Sequence, residues 1–258
     1  IRMWGSVGFA FSSLIVGEIL AKLGVQYMVW PYVIIGTVLL LISFTIQDVK
    51  ADSSPVQLND IKKLMTNKSF IFFLIFMMFI SIGHRANDSF MGIYITELGG
   101  NEGLVGLAWF IGVISEAFVF AFAGFWFRKF HPISFIVFAT VLYSLRWFIY
   151  GTATSPMLII SLQALHGLTF GIFYLAAFDY VTRIIPKLLQ STGHLIFYSV
   201  LFGVSGIIGS MGGGFLMEHF SGQSLYITMG FLALIGAVCF SGFHFGIHRK
   251  REKSIEKS

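Results

Sequence analysis

Cysteine is almost missing from this sequence: Cys239 is the only one. It lies inside an apolar run, so it allows no intramolecular disulfide and, alone, offers no metal site. Charge is scarce as well. Asp, Glu, Lys and Arg make up 11% of the 258 residues, less than half of what a globular domain carries. There is no glycine-rich phosphate loop of the Walker type, and no connection long enough to hold ATP, which argues against a primary pump. HExxH, GxSxG and metal-spaced Cys/His sets are missing too, and Ser, His and Asp occur only scattered. These absences argue against an enzyme and against a bound cofactor.

Long apolar runs fill the space instead. Hydrophobic residues make up 56% of the chain, 30 of them Phe, and the mean hydropathy is +0.83. Read with a window of about 19 residues, the sequence predicts eight membrane spans near 3–22, 27–46, 69–96, 103–126, 132–151, 156–180, 194–216 and 224–246. Segments of this length in hydrocarbon must pair every backbone N–H and C=O internally, so the expected class is an all-α membrane protein. The formal net charge is +5, but the basic residues sit at span ends and in the tail HRKREKSIEKS, so they encode topology, not nucleic-acid binding. Of the 17 Lys and Arg residues, Arg85 and Arg146 fall within spans. With the tail placed in the cytoplasm, Lys22 is outside and the remaining fourteen are inside. That asymmetry puts both termini of this chain in the cytoplasm, in a multi-pass cell-membrane protein.

Three consecutive spans carry one ionisable residue each: Glu116, Arg146 and His166. A charge at mid-bilayer costs roughly 2.5 to 17 kcal/mol depending on how it is measured, so such residues are expected to face one another or a wet cavity. They read as the lining of a solute pathway. Glu116 and Arg146 also admit a plainer reading as a buried ion pair that fixes helix packing, and His166 as an interhelical hydrogen bond. Span 69–96 contains GHRANDSF, the most polar stretch within any span. His84 and Asp88 share a helix face and Arg85 can pair with Asp88, so these three form either a gate or a satisfied network. In 194–216 the glycines at 203, 206, 209 and 212, and the small residues Ser205, Gly209 and Gly213, are expected to serve close helix packing. Asp179 is expected to pair with Arg183. Trp4, Trp30 and Trp126, near span ends, fit the interfacial belt.

The longest connection, QDVKADSSPVQLNDIKKLMTNK over 47–68, is polar and separates two helices (1–46) from a six-helix block (69–247) that precedes the basic tail (248–258). That block is the size of half a major-facilitator transporter. The opening RMWGSVGFAFSSLIVG resembles the fifth helix of lactose permease and its relatives, including the phenylpropionate-permease branch. LQALHGLTFGIFYLAAFDYVT resembles their tenth helix, and Glu116 and Arg146 stand where that family has a Glu in helix eight and an Arg in helix nine. The resemblance implies a major-facilitator fold, with helices five to twelve of an expected twelve present. By position it implies substrate binding by Arg2, Phe9, Glu116, Arg146 and His166, and proton coupling through Glu116, Arg146 and His166. There are departures. Thr169 replaces the proton-carrying Glu one turn after the His, Gln163 replaces the Lys one turn before it, and span 194–216 has no Lys. His84, Arg85 and Asp88 stand in for paired Asp residues of helix seven, and Phe9 has no indole N–H.

The expected function is secondary active transport of a small organic solute such as a sugar, nucleoside or aromatic acid. The expected mode is symport with H+ through alternating access, by a monomer with lipid as its surroundings. Export of hydrophobic compounds by a major-facilitator pump is the alternative, and a non-transporting scaffold or receptor a third class. Because the chain opens on Ile1 in an apolar run with no signal pattern, four upstream helices are expected to be missing. The 258 residues alone are therefore expected to give no saturable uptake in proteoliposomes, and saturable uptake would contradict that expectation.

Overall fold

The structure, a computed structural model, describes residues 2–46, 58–127 and 131–255. Within these, the side chains of Arg2, Trp126 and residues 244–255 lie outside the description. So the expectations placed on the side chains of Arg2, Trp126 and the tail, and on the first half of the 47–68 connection, fall outside the description.

Every regular element among the described residues is helical. The first two are α1 (Arg2–Leu23) and α2 (Val25–Ser43), and a short α3 (Leu58–Met65) follows. The larger block comprises α4 (Lys68–Glu97), α5 (Glu102–Trp126), α6 (Pro132–Gly151), α7 (Pro156–Ile184), α8 (Lys187–His219) and α9 (Gly222–Ile255). Apart from α3, each is long and apolar enough to cross a membrane, which makes eight candidate spans. The 30 residues of α4 rise about 45 Å, ample for a hydrocarbon core of roughly 30 Å.

Local chemistry sets the helix ends. Asn67 and Asn101 cap α4 and α5 by accepting from the amides of Phe70 at 3.3 Å and Leu104 at 3.0 Å. Ser155 caps α7 with Pro156 in its first turn, where a missing N–H costs nothing. Gly24, at φ 100°, turns the chain from α1 into the 3₁₀ turn that opens α2. Two boundaries differ from the sequence reading. α8 begins seven residues before 194, because the polar stretch at 190–194 stays helical. The 47–68 connection holds α3, whose Leu64 is buried while Lys62 and Lys63 face outward.

Glycines set how closely the helices approach. A Cβ on Gly17 of α1 would lie 2.8 Å from the Cα of Gly106 on α5, and one on Gly106 would lie 2.6 Å from the Ser13 carbonyl. Over Ser205–His219 of α8, Ser205, Gly209 and Gly213 are the buried set, with Gly209 pressed against the Ile82 carbonyl of α4. Gly203 and Gly212, by contrast, meet nothing within 4 Å. The every-fourth stripe is therefore the packing face. α2 buries no residue, as suits a helix whose surface is apolar all round. Asp179 and Arg183 pair at 2.8 Å, as their spacing predicts.

α7 is not a uniform helix. After Pro156–Leu162 it tightens into a 3₁₀ turn over Gln163–Leu165, then widens into a π turn over Gly167–Gly171 before resuming at Ile172. Such turns interrupt the i→i−4 ladder and occur mostly at functional sites. Gly167 permits this one: its amide donates to Ser115 Oγ at 2.8 Å, and any Cβ there would collide with the Ser115 carbonyl of α5. Arg146 of α6 braces the same segment. Fully buried, it donates through Nη1 to Thr169 Oγ1 at 3.1 Å, through Nη2 to Gln163 Oε1, and through Nε and Nη2 to Tyr150 Oη at 3.2 and 2.9 Å. Tyr150 in turn donates to the Ile159 carbonyl.

Two losses of stability should follow. Gly167→Ala forces α5 and α7 apart and is expected to cost about 1–3 kcal/mol. Arg146→Gln removes several charge-assisted bonds and strands their acceptors, an expected loss of about 3 kcal/mol or more. Thermal unfolding of the detergent-solubilised protein, followed by intrinsic fluorescence, measures both.

Candidate functional site

Five helices surround a cavity of about 470 Å³ at the middle of the spans. α1 contributes Gly5, Ser6 and Phe9; α4 contributes His84, Arg85 and Asp88; α5 contributes Trp109, Val113 and Glu116. α7 adds His166 and Phe170, and α8 adds Phe202. Phe202 sits in a second wide turn, Ser199–Val204, so both interrupted helices present their irregular segments to this space.

The polar groups on the wall form two similar pairs. Glu116, buried at 6% exposure, has Oε2 3.6 Å from His166 Nε2, and its Oε1 accepts from Ser6 Oγ at 3.2 Å. Asp88 has Oδ2 3.6 Å from His84 Nε2 and accepts there from Arg85 Nη1 at 2.7 Å. The other nitrogen of His84, Nδ1, lies 3.1 Å from the Tyr143 hydroxyl. The two imidazole rings stand 5.8 Å apart, and Phe170 stacks on His84 at 4.2 Å. A helical face explains each pairing within α4, since 84 and 88 are one turn apart. The Glu116–His166 contact depends on the close approach of α5 and α7 at Gly167.

Aromatic surface covers the rest. Phe9 and Trp109 meet edge to face at 5.8 Å, and the Arg85 guanidinium lies 5.8 Å above the Phe202 ring. Rings with convergent polar groups suit a small organic ligand that has both faces and edges to satisfy. Asp88 and Trp109 also border a second cavity of about 560 Å³, between α1 and the 88–109 region, so they form the partition between two spaces.

Of the residues singled out from sequence, Phe9, Glu116, His166, His84, Arg85 and Asp88 are brought together on one wall. The two groups considered separately, pathway and gate, are thus contiguous. Arg146 is not on that wall. Among the described residues its partners are neutral oxygens, and Glu116 pairs with His166 in its place. Ser6, Trp109 and Phe170 were not singled out, although helical spacing could have found them. Ser6 is three residues before Phe9, Trp109 seven before Glu116, and Phe170 four after His166. Phe202 carried no such signal.

Known proteins give a consistent picture. The family model described as "MFS_1 like family" matches residues 1–228. "Uncharacterized transporter YwbF" of Bacillus subtilis is 26% identical over 240 residues, covering 92% of this chain and 59% of that protein. "Maltose permease" of Geobacillus stearothermophilus is 24% identical, covering 92% and 61%. "Probable 3-phenylpropionic acid transporter" of Escherichia coli is 26% identical, covering 91% and 62%. The chain thus spans about three fifths of the length of these relatives. Eight helices of spanning length and a family match over most of the chain agree: this is a multi-span membrane protein, and it belongs to the MFS_1-like family.

Proposed function

We propose that the native-length protein is a proton-coupled symporter of a small organic solute, a sugar, nucleoside or aromatic acid. It works as a monomer in the cell membrane, with both ends of this chain in the cytoplasm. The relatives named for maltose and for 3-phenylpropionic acid support a sugar or an aromatic acid. The observation that carries the reading is the pair formed by Glu116 and His166 at mid-span on the wall of an aromatic cavity. A carboxylate there is tolerated because it is paired, and it loses that partner if the solute or a helix movement intervenes.

In this reading Phe9, Glu116 and His166 contact the solute, with Arg2 beside them. Glu116 and His166 also exchange the coupled proton. Arg146 supports coupling by position: it holds Gln163 and Thr169, the residues three before and three after His166, and so fixes where the imidazole stands. His84, Arg85 and Asp88 serve as the gate, since Asp88 and Trp109 separate the two cavities. Alternating access is a rocking of helix bundles about this centre. The Ser6–Glu116 hydrogen bond lies between α1 and α5, so rocking those helices apart breaks it and changes the surroundings of the carboxylate.

The test is uptake of a solute panel by cells making the native-length protein, at external pH of about 5.5 and 7.5. Accumulation of at least one panel member should be stronger at the lower pH. Glu116→Gln should cut it by roughly tenfold or more, within the usual range of coupling between two sites. Equal accumulation at both values, or full accumulation by the variant, would overturn the reading.

A further inference from the structure

The reading above uses Glu116 and His166 for the proton and leaves His84 and Asp88 as a gate. The geometry gives them more. We infer that the cavity holds one proton-binding unit of four groups, Asp88–His84 and Glu116–His166, and that Asp88 and His84 belong to it as fully as the other two. This rests on the proposed proton-coupled reading of the site and extends it to a second acid.

The two halves have the same construction. Each has a carboxylate oxygen 3.6 Å from an imidazole Nε2, and the two rings face each other at 5.8 Å. A proton leaving the Glu116 acid for His166 Nε2 leaves a carboxylate and an imidazolium, and the same holds for Asp88 and His84 Nε2. Two imidazolium rings this close, both buried, repel each other, so a proton held as imidazolium in one half disfavours the same state in the other. Interacting sites of this kind titrate as a set and not one by one.

The surroundings carry that interaction and do not break it. Arg85 on α4 bonds Asp88 Oδ2, while Asp88 Oδ1 is buried without a partner. From α5 only Glu116 brings charge. From α6, Tyr143 meets His84 Nδ1, and the Arg146 charge acts on both imidazoles. From α7 comes His166 itself, with Phe170 lying against both rings. From α8, Phe202 is neutral beneath Arg85. From α9, Tyr226 donates to Asn87, next to Asp88. From α1, Ser6 donates to Glu116, which among the described residues is the one polar link between the unit and that helix. A proton bound at the α4 half is therefore felt, through the two rings, at the contact with α1.

Infrared difference spectroscopy of the native-length protein in membranes reads the carboxylic-acid C=O bands of Asp88 and Glu116 as pH changes. Asp88→Asn and Glu116→Gln assign the bands. In the wild type, each band is expected to follow a titration broader than a one-proton curve. Asp88→Asn should move the Glu116 midpoint by at least about threefold in proton concentration, and Glu116→Gln should move the Asp88 midpoint by the same factor, because coupling is reciprocal. In a His84→Gln background the effect of Asp88→Asn on Glu116 should shrink by half or more. Simple one-proton curves in the wild type, or midpoints that ignore the other acid, would overturn the inference, and the wild-type curves decide even if a variant fails to fold. No transport is read. Coupled bands in a protein that accumulates nothing would keep this inference and remove the transport reading; independent bands in a protein that accumulates solute would do the reverse.

Discussion

Hydrocarbon offers a polar group no partner, and the centre of this molecule is arranged by that constraint. Glu116, Arg146, His166 and His84 are each at most 6% exposed. Each has found a protein partner within reach: imidazole for carboxylate, neutral oxygens for guanidinium, a phenol for the second imidazole. The helix approaches serve these meetings. Gly167 lets α7 lie against α5, so that His166 reaches Glu116, and Arg146 secures that segment from the other side.

The two kinds of satisfaction differ in what they permit. Arg146 is bound by several acceptors on two helices and stays cationic at any physiological pH. It behaves as a fixed bracket. The carboxylate–imidazole pairs are held by single contacts at 3.6 Å and border open space.

Much of this was legible in the sequence. Span number and position followed from the length that hydrocarbon demands. Five residues of the cavity wall, His84, Arg85, Asp88, Glu116 and His166, stood out by the cost of placing them in spans, whereas Phe9 came from the family resemblance. Within one helix, spacing gave the pairs correctly: Arg85 with Asp88, Asp179 with Arg183, and Ser205, Gly209 and Gly213 as the buried stripe. Between helices it did not. Opposite charge made Arg146 the obvious partner for Glu116, yet partner choice depends on rotation about each helix axis, and the sequence does not print that. The interrupted course of α7 was equally hidden, because residues 163–171 look like ordinary apolar helix. The polar stretch that extended α8, and the single turn of amphipathy in α3, were too short for a 19-residue window to weigh.

The wide turn at Gly167–Gly171 also changes how α7 should be counted. It widens the spiral where the 3₁₀ turn at Gln163–Leu165 has just tightened it, so the direction that everything from Ile172 onward faces is set by the sum of the two. Tyr174, Phe178 and Asp179 meet their present neighbours through that sum. A lineage that lost one residue here would keep its hydropathy, its length to within a single position and its membrane insertion, yet would present a different stripe of the same helix to the centre of the protein. Alignments scored on apolar content would pass over such an event, whereas the register of the aromatic rings beyond it would record it.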